Sequence, residues 1–180
     1  MATTDDAATP RTRPRTASRV AAVQALFQSE QAQVSPETVI DEFIRHRLGE
    51  LPGSGGFEDG RVPDAQVPLF RLIVRTAAEQ QDTLDPILDA ALSTDWKLLR
   101  LDPVLRAVLR AGAAELWMTD GPPARVVINE YLDVAHGFFE GDEPGMANGV
   151  LNRIARQLRP KDFPGQAPHA HPLPPGEPGR

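Results

Sequence analysis

The spacing of apolar residues predicts helices along most of the chain. Near the N-terminus Val20, Val23 and Phe27 recur at intervals of three and four residues, the period of an amphipathic helix. The strongest pattern is LDPVLRAVLRAGAAELWM, residues 101–118, whose apolar residues form one continuous stripe. No segment shows the two-residue alternation of a half-buried strand. We therefore expect an all-α fold.

Residues that favour helix starts divide this pattern into about seven helices. Ser35 precedes Pro36, and a serine cap followed by proline at the first helical position is a favourable start. Asp102 caps the strongest helix in the same way, Asp82 is expected to cap another, and Asp142 opens the last one. The remaining helices are predicted near the N-terminus, over PLFRLIVRTAAEQQ, and over the stripe from Ile128 to Phe139.

Three segments lack such a pattern. Residues 1–14 are small and polar with two prolines, and we interpret them as a disordered basic arm. The stretch LPGSGGFEDGRVP, residues 51–63, is predicted to be a long flexible loop. Residues 160–180 contain seven prolines and are predicted to form a disordered Pro-rich tail. One helical domain is expected between them, over residues 15–159.

Composition narrows the functional classes. The 180 residues carry a formal net charge of −6, and 41% of them are hydrophobic. Cysteine is absent, which excludes disulfides and thiolate metal sites and favours a reducing cytoplasm. No apolar run approaches the roughly 18 residues of a membrane span, and the N-terminus has no apolar signal region. We expect a cytoplasmic protein without a membrane partner.

The segment RTRPRTASRV, residues 11–20, is basic although the chain as a whole is acidic. Pro14 disfavours helix at the residue before it, so Arg11 and Arg13 are expected on an extended arm. Arg15 and Arg19 are four residues apart and are expected to share one face of the first helix. Guanidinium groups in this arrangement suit a phosphate backbone, although arginine-rich termini also serve only as solubilising tails.

No catalytic constellation is apparent in the sequence. His46 and His136 are interpreted as surface or packing residues, and His169 and His171 fall in the predicted tail. The glycines of GSGG, residues 53–56, follow no strand and lack the lysine and hydroxyl of a phosphate-binding loop. We predict no enzymatic activity, no cofactor and no metal site.

Four segments together resemble one protein family. In VVINEYLDVAHGFFEGDEPGMANGVLNRIA, residues 126–155, a V-x-I-N-E segment is followed by an aromatic-ended helix and then by N-G-V-L. AAVQALFQ at 21–28 and LLRLDPVLRAVLRAGAAEL at 98–116 occur in the matching order. The chain thus resembles the NusB family of bacterial transcription antitermination factors over about residues 15–159.

The resemblance implies a fold and a function. NusB proteins consist of two small packed helical bundles and bind boxA RNA together with NusE, which is also a small-subunit ribosomal protein. The complex joins elongating RNA polymerase and supports transcription through ribosomal RNA operons. The basic arm would anchor RNA, and the acidic body would suit a basic ribosomal protein.

The resemblance also implies RNA-facing residues. Phe27 is expected either to stack on a base or to pack in the core, and Met146 occupies a position that is usually aromatic. Substitution of Arg15 and Arg19 by alanine is expected to weaken RNA binding without loss of the fold. Gly149 has a different expected role, which is to permit close helix packing. The predicted RNA-binding residues are Arg11, Arg13, Arg15, Arg19, Phe27, Asp142 and Met146.

Two alternative functions remain open at this stage. A related helical domain forms the N-terminal part of an rRNA cytosine methyltransferase, so the chain could be a NusB-like RNA-binding domain associated with rRNA methylation. The other alternative is a stand-alone helical protein-interaction module in which the arginines only increase solubility.

Overall fold

A computed structural model describes residues 13–48 and 65–165. Within these ranges the chain forms seven α-helices, two short 3-10 helices and no strand, which confirms the all-α prediction. Arg11, the predicted loop at 51–63, and most of the predicted arm and tail lie outside the described residues. The α-helices are α1 (Pro14–Ala32), α2 (Pro36–His46), α3 (Val67–Glu79), α4 (Gln81–Ala91), α5 (Pro103–Trp117), α6 (Ala124–Phe138) and α7 (Glu143–Leu158); the 3-10 helices are Leu98–Arg100 and Pro160–Asp162.

Side chains cap α2 and α5 as predicted. The Thr38 amide donates to Ser35 Oγ at 3.2 Å, and the Val104 amide donates to Asp102 Oδ1 at 2.8 Å. Each bond satisfies one of the amide groups that a helix start leaves without an intrahelical partner. Local sequence therefore determines where these two helices begin.

One predicted helix start needs correction, and another is confirmed without a side-chain cap. Asp82 lies in the first turn of α4, whose N-cap is Gln80. Asp142 does occupy the N-cap position of α7, but its side chain makes no capping hydrogen bond. The Asp82 carboxylate still lies near the helix N-terminus, where it complements the helix dipole.

Helix α5 is the centre of the fold. It packs against α1 and α3 on one side and against α4, α6 and α7 on the other. Helices α1–α3 form one bundle and α4–α7 the second, and a continuous set of buried apolar side chains joins them. Every residue from Leu105 to Leu116 is buried, so α5 belongs to both cores.

One glycine, Gly112, allows close contact at this centre, and it is not the predicted Gly149. A Cβ added at Gly112 would lie 2.8 Å from Leu151 Cδ2 and 3.4 Å from Tyr131 Cγ. A Cβ added at Gly149 would meet nothing within 4 Å. The backbone of α5 therefore needs glycine to approach α7, whereas α7 does not need Gly149 for packing.

The folded body extends past residue 159, the predicted end of the helical domain. Phe163 is 7% exposed, and the Arg156 guanidinium lies over its ring, 5.2 Å from the ring centre. Asp162 Oδ2 accepts a hydrogen bond of 2.8 Å from the Ala124 amide at the start of α6. One aromatic ring and one carboxylate fix residues 160–163 to the second bundle, although this stretch has no helical periodicity.

Candidate nucleic-acid interface

Two exposed arginines lie at the start of α1. Arg13 occupies the N-cap position with extended backbone angles, φ −71° and ψ 116°, and Arg15 follows in the first turn. The extended conformation at Arg13 is the one that Pro14 favours. No acidic residue lies in the first turn of α1. Because the amide groups of a helix N-terminus add to the positive potential, this end of α1 is suited to a phosphate group.

Arg19 does not share the exposed surface with Arg15. Its side chain is 2% exposed and forms a bidentate pair with Glu115, with Nε–Oε2 at 2.9 Å and Nη2–Oε1 at 2.5 Å. Its Nη1 donates to Glu130 Oε2 at 2.9 Å. Arg15 and Arg19 border the same groove, as their spacing of four residues predicts, but only Arg15 is exposed, because the side chain of Arg19 points between helices α5 and α6.

The surroundings of Arg19 keep it charged. Burial opposes the charge, but the hydrogen bonds with Glu115 and the nearby carboxylates outweigh it and raise the pKa of Arg19. Thr16 Oγ1 donates to Glu130 Oε2 at 2.8 Å, so Glu130 joins two residues of the first turns of α1. Tyr131 lies next to these charges. Burial raises the pKa of its phenol well above the usual value, so Tyr131 stays neutral.

A second charged network holds the other end of α1. Glu30 pairs with both Arg106 and Arg110, and Arg110 also pairs with Asp85 at 2.7 Å. The hydrogen bond from Arg106 lowers the pKa of Glu30, although partial burial acts in the opposite direction. Because Arg19 contacts the end of α5 and Glu30 contacts its beginning, α1 and α5 are antiparallel.

The other predicted RNA-binding residues lie further along α1 and at the start of α7. Phe27 is partly buried against the core and lies 12 residues after Arg15, roughly 18 Å along the helix. Asp142 is exposed at the start of α7, and Met146 packs partly against the core one turn later. The predicted residues thus come from two elements, α1 and the start of α7.

An open groove lies beside Arg15, between α1, α3 and the α5–α6 connection. Its volume is about 590 Å³. Leu72, which is 50% exposed, lies on its apolar side, and the polar side chains of Gln66, Thr119 and Asp120 also face it. Sequence patterns do not reveal this groove, because its lining comes from three distant segments.

Three further observations concern alternative chemistry and the membrane. His46 and His136 are both exposed, as the sequence interpretation allowed. The described residues contain no group of three or more side chains suited to hold a metal ion. No helix in the described ranges has both the length and the apolar character needed to cross a membrane.

Comparisons with known proteins identify the family. The model of the NusB family matches residues 16–156 of this chain. This chain belongs to the NusB family. Transcription antitermination protein NusB of Granulibacter bethesdensis is 70% identical over 156 residues, which cover 87% of this chain and 96% of that protein. The protein of the same name from Gluconobacter oxydans is 52% identical over 158 residues, with the same coverage of both chains.

Solved structures agree with the NusB fold. NusB from T. maritima superposes with a TM-score of 0.65 at 26% identity, covering 84% of this chain and 98% of that one. A chain from the crystal structure of antitermination factors NusB and NusE in complex with dsRNA gives a TM-score of 0.61 at 20% identity. That match covers 79% of this chain and 96% of the other. At such low identity it supports the fold alone.

The NusB resemblance in the sequence did not reveal the buried charges. Glu115 is the only acid in the apolar segment AGAAELW, and a lone carboxylate on a buried stripe requires a buried cation. Arg19 likewise follows Ala17 and Ser18, two small residues that are also buried. These two features together could have suggested an ion pair between α1 and α5.

Proposed function

We propose that this chain is a transcription antitermination factor that binds boxA RNA of ribosomal RNA operons together with NusE. Membership of the NusB family and 70% identity to a transcription antitermination protein support this role. The structural observation that carries it is the exposed pair Arg13 and Arg15 at the acid-free start of α1. The complex would act on elongating RNA polymerase in the cytoplasm, where bacterial transcription takes place.

The proposed RNA surface begins at the N-terminus of α1. Arg13 and Arg15, with Arg11 from the preceding segment, would contact phosphates, since each guanidinium offers several donors to phosphate oxygens. The adjacent groove supplies apolar surface at Leu72 and hydrogen-bonding groups at Thr119 and Asp120 for unstacked bases. Arg19 borders this groove, but its side chain is buried in ion pairs with Glu115 and Glu130, so we assign it no phosphate contact.

Phe27, Asp142 and Met146 extend the proposal to a second part of the surface. Only part of Phe27 is accessible, so any contact with a base would involve only part of its side chain. Asp142 is exposed and can accept hydrogen bonds from base amino groups. Because Phe27 lies roughly 18 Å from Arg15 along α1, the RNA would follow an extended path across the body.

NusE fits the charge of the body. The chain has a formal net charge of −6 although residues 11–20 carry four arginines and no acid, so the rest of the chain is acidic. Ribosomal proteins that bind RNA are generally basic, and opposite potentials favour association and specificity. Few exposed cations are available for RNA on α1 alone, so we infer that the two proteins share the RNA site.

Binding of labelled boxA RNA and of a scrambled RNA tests this function. Each RNA is titrated with this protein, with NusE, and with an equimolar mixture. The mixture should bind boxA more tightly than either protein alone and more tightly than the scrambled RNA. Equal affinity for both RNAs, or no gain in the mixture, would contradict shared recognition and favour a module that binds only proteins.

Arg15→Ala and Arg45→Ala provide a matched comparison in the same assay. Both residues are exposed arginines, but Arg45 lies on α2. Loss of Arg15 should reduce the slope of log affinity against log salt by about 0.7 for one lost contact to single-stranded RNA. Loss of Arg45 should leave that slope unchanged. Equal slopes for the two variants would remove Arg15 from the interface.

A further inference from the structure

Arg19 joins three helices at the end of α1 that carries the exposed arginines. Its three guanidinium nitrogens donate to Glu115 on α5 and to Glu130 on α6. Arg15 and Arg19 are one helical turn apart, so the orientation of Arg15 depends on how this part of α1 sits against the other two helices. The network therefore acts directly beneath the proposed RNA anchor.

Glu130 adds a second attachment point in the same region. It accepts from Arg19 at 2.9 Å and from the Thr16 hydroxyl at 2.8 Å, both through Oε2. Its side chain is 18% exposed, whereas Glu115 is 1% exposed. Glu130 thus lies between the buried pair and the surface, next to the residue that follows Arg15.

The network formed by Arg19, Glu115 and Glu130 does not attract RNA through its own charge. Arg19 contributes one positive charge, and Glu115 and Glu130 contribute two negative charges. The set offers no positive charge to a phosphate, and the accessible member is an acid. An acid next to an RNA anchor weakens attraction over distance, so any benefit to RNA binding must come from geometry.

We propose that Arg19 and Glu130 are positioning residues for RNA binding, a step that rests on the proposed function. They hold the first turns of α1 against α5 and α6, so that Arg13 and Arg15 face the RNA in a fixed orientation. Holding these cations in place before binding reduces the ordering cost when the complex forms. Neither residue contacts phosphate.

Glu130→Ala separates positioning from electrostatics because the two explanations predict opposite effects. If geometry dominates, the variant binds boxA with NusE about tenfold more weakly, the loss expected for a charge-assisted hydrogen bond, and the salt slope is unchanged. If Glu130 only repels RNA, or if Arg19 is released to contact phosphate, binding becomes tighter. Tighter or equal binding overturns the proposal.

Asp133→Ala is the matched charge control. Asp133 is exposed on the same helix, so its removal also deletes one negative charge from α6. The positioning role requires Glu130→Ala to bind RNA more weakly than Asp133→Ala. Equal affinities of the two variants would show that only charge matters at position 130.

Thr16→Val tests the same role without changing any charge. The substitution removes the hydrogen bond to Glu130 and keeps the size of the side chain. We expect about three- to tenfold weaker binding with an unchanged salt slope and a circular dichroism spectrum that stays native. Unaltered affinity of Thr16→Val for boxA overturns the proposal. This test remains valid if Glu130→Ala fails to fold. If the unsubstituted chain does not bind boxA with NusE, the proposed function itself fails.

Discussion

Gly112 and Leu151 fix the distance between α5 and α7. A Cβ at position 112 would lie 2.8 Å from Leu151 Cδ2 and 3.3 Å from Leu151 Cδ1, closer than side-chain carbons normally approach. Leu151 is completely buried, so it has little room to move away. Because α5 contributes to both bundles, this contact affects the packing of the whole body.

Gly112→Val should therefore destabilise the protein. The added methyl groups overpack the contact between α5 and α7, and we expect the free energy of unfolding to fall by about 1–3 kcal/mol. Gly149→Ala is the control, because a Cβ there meets no atom within 4 Å and alanine favours helix by up to about 1 kcal/mol. Urea denaturation of both variants measures the two effects. Destabilisation by Gly149→Ala would contradict this interpretation.

Arg19→Ala should destabilise the fold, whereas Arg15→Ala should not. Removal of Arg19 leaves Glu115 buried without its bidentate partner, and breaking a buried pair in this way costs about 3–5 kcal/mol. Arg15 is exposed, so its removal should hardly affect stability. Guanidinium denaturation compares the two variants. Equal midpoints would show that the pair of Arg19 with Glu115 contributes nothing to stability.

This difference revises the expectation from sequence that alanine is tolerated at both arginines. The spacing of four residues correctly indicated that both lie on one helix, but it could not show how that helix packs. Side chains of this length reach either solvent or a neighbouring helix, and the choice at Arg19 depends on Glu115, which is 96 residues away. Local periodicity contains no information on such a partner.

The helices were largely predictable from the sequence, because nearby residues determine where a helix begins and which face it buries. Ser35 and Asp102 cap their helices within three residues, and the apolar stripe of α5 determines its buried face. The groove beside Arg15 and the attachment of Phe163 were not predictable, because segments that are distant in the sequence form both. The Pro-rich composition after residue 159 concealed one apolar residue with a place in the core.

The ion pairs of Glu30 should make stability depend on pH in a defined direction. The hydrogen bond from Arg106 lowers the pKa of Glu30 in the folded protein. The stabilisation is therefore complete above the unfolded pKa of about 4.3 and is lost as the pH falls through the lower folded value. The difference in unfolding free energy between the unsubstituted chain and Glu30→Gln should shrink below that pH. A constant difference would contradict the assignment.

Glu37→Gln is the exposed counterpart of that experiment. Glu37 pairs with Arg75 at 2.7 Å, and that hydrogen bond lowers the pKa of Glu37 as well. Both side chains are largely exposed, so solvent screens the pair and its contribution to stability is small. We expect Glu37→Gln to have a smaller effect than Glu30→Gln at neutral pH.

Phe163 should define the functional end of the folded body. Its ring is 7% exposed beneath Arg156, and Phe163→Ala should lower the free energy of unfolding by about 3 kcal/mol, the lower end of the range for buried phenylalanine. A loss of that size lowers the melting temperature by roughly 6–12 °C in a chain of this length. Truncation after Gly165 keeps Phe163 and removes only Pro-rich sequence, so it should leave the melting temperature unchanged. Thermal unfolding followed by circular dichroism measures both variants. An equal loss from the two changes would mean that residues 166–180 also contribute to the body, and no loss from Phe163→Ala would place the end of the body at Arg159.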